Sequence, residues 1–422
     1  DYLLVSYSLY HAGLVPPHIA AGINLNMPVV GRLLRRCGAF FIRRSFSGDK
    51  LYIAVFRAYV DSLIRRGYSI SFYPEGGRSR TGRLLTPKTG LLSMVVDSAL
   101  HQRVRKVAIV PVYTGYDKVF EINSYMKEMR GARKEKESVQ GLMKAGRILS
   151  KSFGRVYVNF GEPFELQSFA DTALPGWRES MLGAELPARY PRAVDELAEE
   201  TMRRINAAAV AAPTPLTSVA LLASPQHAVA EDDLGHQVTR LVALLQGRPY
   251  SGDVHVPVTD PKAILEWGAP LASLSRVPHP WGDLIAADPR AAALMTYYRN
   301  NVQHLFAVPS LIANFFRTRQ RASEDAVVAG CRALYPFLHT EFFLRWDVAA
   351  CEPVIREYVQ LLVNQKLLVR EESGVLRRPE VEAPEFSVLG MLGRILGETL
   401  ERYSMTTLLL AQERGRDAGI PR

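Results

Sequence analysis

From residue 38 to residue 160 the apolar residues of this 422-residue chain change their spacing repeatedly. Gly38-Ala39-Phe40-Phe41-Ile42-Arg43-Arg44 reads as a strand running into a basic tip. From Lys50 to Arg66 the apolar positions 51, 55, 59 and 63, with 56, 60 and 64 beside them, trace one helical face closed by Gly67. A strand at 69–73 follows, then a helix at about 89–103 with Leu91, Leu92, Val95, Val96 and Leu100 facing inward. Residues 107–113 form a near-continuous apolar run, as expected of a strand covered on both faces, with Pro111 marking a bulge or an edge. Alternation at 156, 158 and 160 supplies a last strand. Strands alternating with helices predict an α/β domain, a mixed β-sheet flanked by helices, over residues 1–165.

The flanking regions read differently. Residues 2–15 predict a buried helix ended by Pro16-Pro17, and 27–37 a short amphipathic one. Residues 127–137 are a charged connector. Residues 166–211 form a connecting segment and an alanine-rich helix at 191–211, broken at 212–218, and 212–422 a mainly helical C-terminal domain. Within that domain 251–290 reads as Pro- and Gly-rich loop, and 291–320 as a long helix interrupted at Pro309. Further helices are predicted at 324–334, 339–347, 352–366 and 388–411.

Charge separates the two parts. The chain carries a net charge of +10, yet residues 1–165 hold 26 Lys+Arg against 12 Asp+Glu, and the remainder 26 against 30. No carboxylate stands between Asp1 and Asp49, where Arg32, Arg35, Arg36, Arg43 and Arg44 all lie. That excess points to an anionic partner: a phosphorylated substrate, an acidic lipid surface or nucleic acid. No RNP-like motif, helix-turn-helix signature or stacked-aromatic stripe supports nucleic acid, which is not expected as a partner. Cys37, Cys331 and Cys351 lie far apart without metal-ligand spacing, so neither a disulfide framework nor a metal centre is expected. No apolar run reaches the roughly 18–20 residues needed to span a bilayer, so membrane association would be peripheral.

The chemistry gathers around Phe72-Tyr73-Pro74-Glu75-Gly76-Gly77-Arg78-Ser79-Arg80-Thr81-Gly82-Arg83. A Gly-rich turn at a strand end, carrying three arginines, suits a phosphate group, because the guanidinium fork matches its oxygens. Together with Asp1-Tyr2-Leu3-Leu4, the Gly38-to-Arg44 stretch and Ile109-Val110-Pro111-Val112-Tyr113, it resembles in order and spacing the motifs of the glycerophospholipid acyltransferases. The likeness is greatest to the bacterial, membrane-associated branch acting on glycerol 3-phosphate. It extends into the helical region at Leu294-Met295-Thr296-Tyr297-Tyr298-Arg299-Asn300-Asn301 and Phe343-Leu344-Arg345-Trp346-Asp347.

The resemblance implies transfer of a fatty acyl group from acyl-CoA or acyl carrier protein to the 1-hydroxyl of sn-glycerol 3-phosphate, with no cofactor. It implies a peripheral place at the acidic phospholipid surface on the cytoplasmic face of the inner membrane. Asp1 would be the catalytic aspartate of a His-x4-Asp motif whose histidine base falls five positions upstream. The chain is therefore expected to be truncated at its N-terminus, short at its C-terminus and inactive as it stands. Phe41, Arg43, Arg44, Glu75, Gly76, Arg78, Ser79 and Arg80 would contact the acceptor. Pro111 and Val112 would serve the acyl donor or the architecture. The His-x4-Asp spacings at His227–Asp232 and His255–Asp260 read as chance, and His11 and His18 as structural. Three alternatives stay open: a 1-acylglycerol-3-phosphate acyltransferase, which usually carries threonine where Gly77 stands; a binding module for anionic lipid or nucleic acid; and a docking scaffold.

Overall fold

The computed structural model describes residues 2–43, 48–102, 106–119, 154–180, 187–280 and 282–417, and it divides into two compact units. Together they make an α/β protein of helices and small sheets. The first unit comprises Asp1–Arg80 and Leu84–Ala209; the second comprises Thr81–Arg83 and Val210–Arg422.

The first unit begins with helix α1 (Tyr2–His11), strand β1 (His18–Gly22), helix α2 (Val30–Arg36) and strand β2 (Ala39–Ile42). Helix α3 (Lys50–Arg65), strand β3 (Ile70–Ser71) and helix α4 (Gly90–Gln102) follow. β1 is the middle strand of a parallel sheet ordered β2-β1-β3, with Gly22 level with Ile42 and Ile19 level with Ser71. α3 starts where the Asp49 carboxylate accepts the Tyr52 N–H at 3.0 Å. It ends where Tyr68 N reaches back to Leu63 O at 3.0 Å. Its apolar face buries Phe56, Val60 and Leu63 against Phe40, Met94 and Val95. Full burial of side chains of this size contributes on the order of 1.5–3 kcal/mol each, which is what fixes the helix on the sheet.

The expected strand at 107–113 is two strands. β4 (Ala108–Ile109) pairs antiparallel with β7 (Phe164–Glu165), and β5 (Val112–Tyr116) with β6 (Val156–Phe160). The chain changes partner at Val110-Pro111, because proline has no N–H to continue the first ladder. Helices α5 (Leu166–Ala173), α6 (Trp177–Ser180) and α7 (Tyr190–Ala207) complete the unit. Leu166, Ala170, Trp177, Val194 and Leu197 form a second core with Leu92, Val96 and Leu100 of α4. α1, expected to be buried, buries only Val5. Leu3, Tyr7 and Tyr10, one turn apart on one face, are 61%, 63% and 70% exposed.

The second unit is mainly helical: α8 (Pro213–Leu222), α9 (Glu231–Gly247), α10 (Pro261–Leu271), α11 (Pro289–Val302), α12 (Ala307–Phe315), α13 (Glu324–Phe342), α14 (Cys351–Asn364), α15 (Pro384–Arg394) and α16 (Gly397–Asp417). Two small antiparallel sheets accompany them. β8 (Ala228–Ala230) and β9 (Ser275–Val277) flank β10 (Leu284–Ala286). β11 (Arg321–Ala322) and β12 (Val369–Arg370) flank β13 (Leu376–Arg377). The expected break at 212–218 is the first half of α8, whose two prolines lie in its opening turn, where no intrahelical N–H bond is lost. The expected loop at 251–290 holds α10 and two strands. The interruption expected at Pro309 falls earlier, at the 3-10 turn Gln303–Phe306. Helix α13 runs unbroken through Pro336, where two helices were expected.

Candidate active site

β2 and β3 lie parallel on either side of β1, so the segments after Ile42 and after Ser71 both leave the carboxyl edge of the sheet. Open α/β sheets bind ligands beyond that edge. Ser71 stands three residues short of the Gly22–Ile42 level, and Phe72-Tyr73 lead from β3 into the turn at Pro74-Glu75. The register therefore brings the basic tip of β2 and the Gly-rich loop to one side of one sheet.

At the β2 tip Phe41 is half-buried, with the Arg35 guanidinium 5.3 Å from its ring centroid. Arg35 also donates to Asn26 Oδ1 at 3.0 Å. These residues line an open groove of about 390 Å³ with Ile23, Ala39, Phe40 and Tyr59. Arg43 is exposed but not unoccupied. Its Nη1 donates to Asp49 Oδ2 at 2.9 Å, and its guanidinium lies 4.6 Å from the Tyr52 ring centroid. Asp49 was not among the site residues read from the sequence, because no spacing rule ties a strand tip to the residue that caps the next helix. Asp1 and Arg44 lie outside the described residues.

The loop is built from its neck. Gly76 N donates to Tyr73 O at 3.0 Å, and Lys88 N to Pro74 O at 2.7 Å. Glu75 Oε2 accepts the Leu85 N–H at 2.8 Å. Burial pushes the Glu75 carboxyl above its ordinary range, and the Leu85 N–H pulls it back down. Gly76 has a φ of +58°, and a Cβ there would meet Lys88 Cδ at 2.7 Å. Gly77 has ordinary φ and open space around it. Arg78 and Arg80 are exposed, while Ser79 Oγ is buried with no hydrogen-bond partner among the described residues. A hydroxyl and guanidinium groups are of the chemical kind that donates to an anion.

Pro111 is buried and Val112 half-buried at the switch between sheets, where Pro111 O accepts Gly161 N at 2.9 Å. Asp260 caps α10 by accepting Ala263 N at 2.9 Å, a structural role. Asp232 lies in the first turn of α9. His18 stands edge-on to Tyr68 at 4.9 Å, and His11 lies 4.2 Å from the Tyr7 ring.

In the second unit, residues 343–347 tie the fold together. Arg345 N donates to Tyr250 Oη at 2.6 Å, and the Trp346 ring packs against Tyr250 at 4.8 Å. Residues 294–301 lie in α11, where the buried Arg299 pairs with Glu398 at 2.9 Å.

Residues 125–419 match the family described as the glycerol-3-phosphate acyltransferase C-terminal region, and residues 1–115 one described as acyltransferase. A glycerol-3-phosphate acyltransferase of Pseudomonas aeruginosa (strain LESB58) is 44% identical over 411 residues, covering 97% of this chain and 49% of that protein. Glycerol-3-phosphate acyltransferases of Pseudomonas entomophila (strain L48) and Pseudomonas fluorescens (strain Pf0-1) are 44% and 43% identical, with 97% of this chain and 50% and 49% of theirs covered. The chain thus spans about half the length of the curated relatives it matches. On the match over residues 125–419, the chain belongs to the glycerol-3-phosphate acyltransferase C-terminal region family.

Proposed function

We propose that the full-length protein transfers a fatty acyl group from the thioester of acyl-CoA or acyl carrier protein to the 1-hydroxyl of sn-glycerol 3-phosphate. The observation that carries this reading is the loop holding Glu75, Arg78, Ser79 and Arg80, which leaves the same sheet edge as Phe41 and Arg43. Its arginines and the Ser79 hydroxyl bind the phosphate dianion, and Arg43 exchanges part of its pairing with Asp49 for the incoming charge. Held by its phosphate, the glycerol presents one hydroxyl to the donor, so the encounter becomes nearly unimolecular. The hydroxyl oxygen attacks the thioester carbonyl carbon. Its proton passes to the histidine base that Asp1 orients in this reading. The tetrahedral oxyanion collapses, the C–S bond breaks, and the thiolate leaves and takes the proton.

The acylated product carries an aliphatic chain and calls for a lipid surface, and peripheral attachment to acidic phospholipid on the cytoplasmic face of the inner membrane belongs to the same proposal. The basic excess of residues 1–165 and the exposed Leu3, Tyr7 and Tyr10 of α1 support it. Among the described residues no helix is long and apolar enough to cross a membrane.

The deciding experiment gives the full-length protein palmitoyl-CoA with glycerol 3-phosphate and its 1-acyl derivative in competition. Formation of 1-acylglycerol 3-phosphate is the expected result. Exclusive use of the 1-acyl acceptor, or no transfer to either, refutes the assignment.

A further inference from the structure

Helix α3 has two apolar faces. One is the core face of Phe56, Val60 and Leu63. On the other side Leu51, Val55 and Tyr59 follow one another at single-turn spacing and are 75%, 62% and 41% exposed. Ala54 and Ala58 are exposed beside them, and Arg57 is the one charged residue from 51 to 60. A surface helix ordinarily turns charged and polar residues outward. Single exposed apolar side chains are common on protein surfaces, but a row kept up over successive turns marks a surface that binds something.

The row starts at the β2 tip. Asp49, which caps α3, is the ion-pair partner of Arg43, and the Tyr52 hydroxyl in the first turn accepts the Arg43 N–H at 3.2 Å. Tyr52, Val55 and Tyr59 are three and four residues apart in turn, so they share one stripe of the helix. The stripe ends at the groove beside β2, an outer strand of its sheet. There the Tyr59 ring stands edge-on to Phe40 with centroids 5.4 Å apart, and Ile23, 42% exposed, joins the lining. The groove holds about 390 Å³, within the range of about 300–1,000 Å³ usual for small-molecule sites. From Tyr52 to Tyr59 the helix rises about 10 Å, the length of on the order of eight carbons in an extended aliphatic chain.

We propose that this track seats the fatty acyl chain of the thioester donor, its carbonyl end at Arg43 and its far end in the groove at Tyr59 and Ile23. This rests on the acyl-transfer reading of the preceding subsection. It adds a site for the chain and a means of selecting chain length. A narrow linear chain suits the furrow that Ala54 and Ala58 leave beside Leu51 and Val55. A bilayer contact would call for large side chains reaching outward in their place. A methylene covered on one side only gains roughly half of what full burial gives, which corresponds to about twofold in affinity.

The test measures binding of octanoyl-, dodecanoyl- and palmitoyl-CoA to the full-length protein by calorimetry, each below the concentration at which it forms micelles. Native affinity should rise about twofold per added methylene. Tyr59→Asp is expected to weaken palmitoyl-CoA at least about tenfold and to leave octanoyl-CoA and sn-glycerol 3-phosphate within about twofold, because only the longer chain reaches that turn. Ile23→Trp narrows the groove without placing a charge there. It should lower palmitoyl-CoA affinity about tenfold and spare dodecanoyl-CoA, moving the preference to the shorter chain. Losses of equal size for octanoyl- and palmitoyl-CoA in both variants, or no loss in either, would overturn the proposal. So would a Val55→Asp protein that binds the CoA series as the native protein does but no longer floats with vesicles of equal parts anionic and neutral phospholipid, since the row would then be a membrane contact. If the native protein acylates neither glycerol 3-phosphate nor its 1-acyl derivative, the substrate reading fails, and the chain-length series still decides the track. A native protein that binds no thioester overturns both readings.

Discussion

Glu75 is pulled two ways. Burial favours its neutral form, and the Leu85 N–H favours its charged one, with burial the larger effect. Its ionised carboxylate at neutral pH is therefore a cost to the folded state. That cost is present above the raised pKa and disappears as pH falls through it toward the ordinary value of 4.5. Glu75→Gln keeps an acceptor for Leu85 N–H and removes the charge. The variant should unfold at a higher temperature than the native protein at neutral pH, and the difference should shrink as pH falls. Acyl transfer should drop at least about tenfold in the same variant, if the carboxylate helps orient the acceptor as proposed. Thermal unfolding across pH and a rate assay check the two halves independently. Arg78→Ala should weaken glycerol 3-phosphate binding by about 10- to 100-fold, the range for a charge-assisted hydrogen bond lost to a dianion, and leave the donor unaffected. Titration with each ligand separates those outcomes. The adjacent glycines are not equivalent. Gly76→Ala should cost about 1 kcal/mol or more, since it must hold a positive φ and displace Lys88, whereas Gly77→Ala should stay within about 0.5 kcal/mol. Chemical denaturation reads both.

At the scale of elements, Asp49 serves a helix and an arginine at once. Asp49→Ala removes the α3 cap and the Arg43 partner, and a loss of about 1 kcal/mol is expected; Asp49→Asn should restore the cap and leave the ion pair broken. A difference in denaturant midpoint between the two variants measures the cap alone. The same elements explain what a sequence can disclose. β2, α3 and α4 were legible because each buries one face against one core, and burial imposes a period on the apolar residues. The Phe40-to-Arg43 tip and the Glu75 loop were legible for a different reason, since glycine and arginine at a strand end have few other uses. Prolines misled in both directions. Pro213 and Pro215 read as a break and instead open α8; Pro336 read as a gap between helices and lies inside α13. Tertiary packing decides such cases: every residue from Pro213 to Leu221 is buried, so the surroundings and not the local propensity set the conformation. α10 was hidden because its neighbourhood is rich in proline and glycine, and the pairing of Arg43 with Asp49 because no spacing rule connects a strand tip to the cap of the next helix. The hydrogen bond from Arg83 to Gln303 joins positions more than two hundred residues apart, which no local pattern can report.

For the whole molecule, the uneven charge is the property with reach. A surface potential acts over a Debye length of about 8 Å at physiological salt, so the basic first part can meet an acidic membrane before any specific contact forms. Flotation with vesicles containing anionic phospholipid should recover the protein at low salt, and raising salt to about 0.5 M should lower the bound fraction severalfold. Replacing Tyr7 with Asp should reduce recovery at all salt concentrations, because an apolar contact on α1 is insensitive to screening. Vesicles of neutral lipid alone that bind equally well would remove the electrostatic part of the proposal. A different consequence follows from where Thr81–Arg83 reside. The most natural place to cut this chain in two, between Ala209 and Val210, leaves three residues of the helical unit on the wrong piece. Exchange of the second half between relatives must therefore carry a matching Thr-Gly-Arg from the first, or the recipient inherits a socket without its plug. Two stretches separated by more than a hundred residues therefore have to travel as one cassette, and a chimera that ignores this should leave Gln303, Glu341 and Thr399 without the guanidinium they hold.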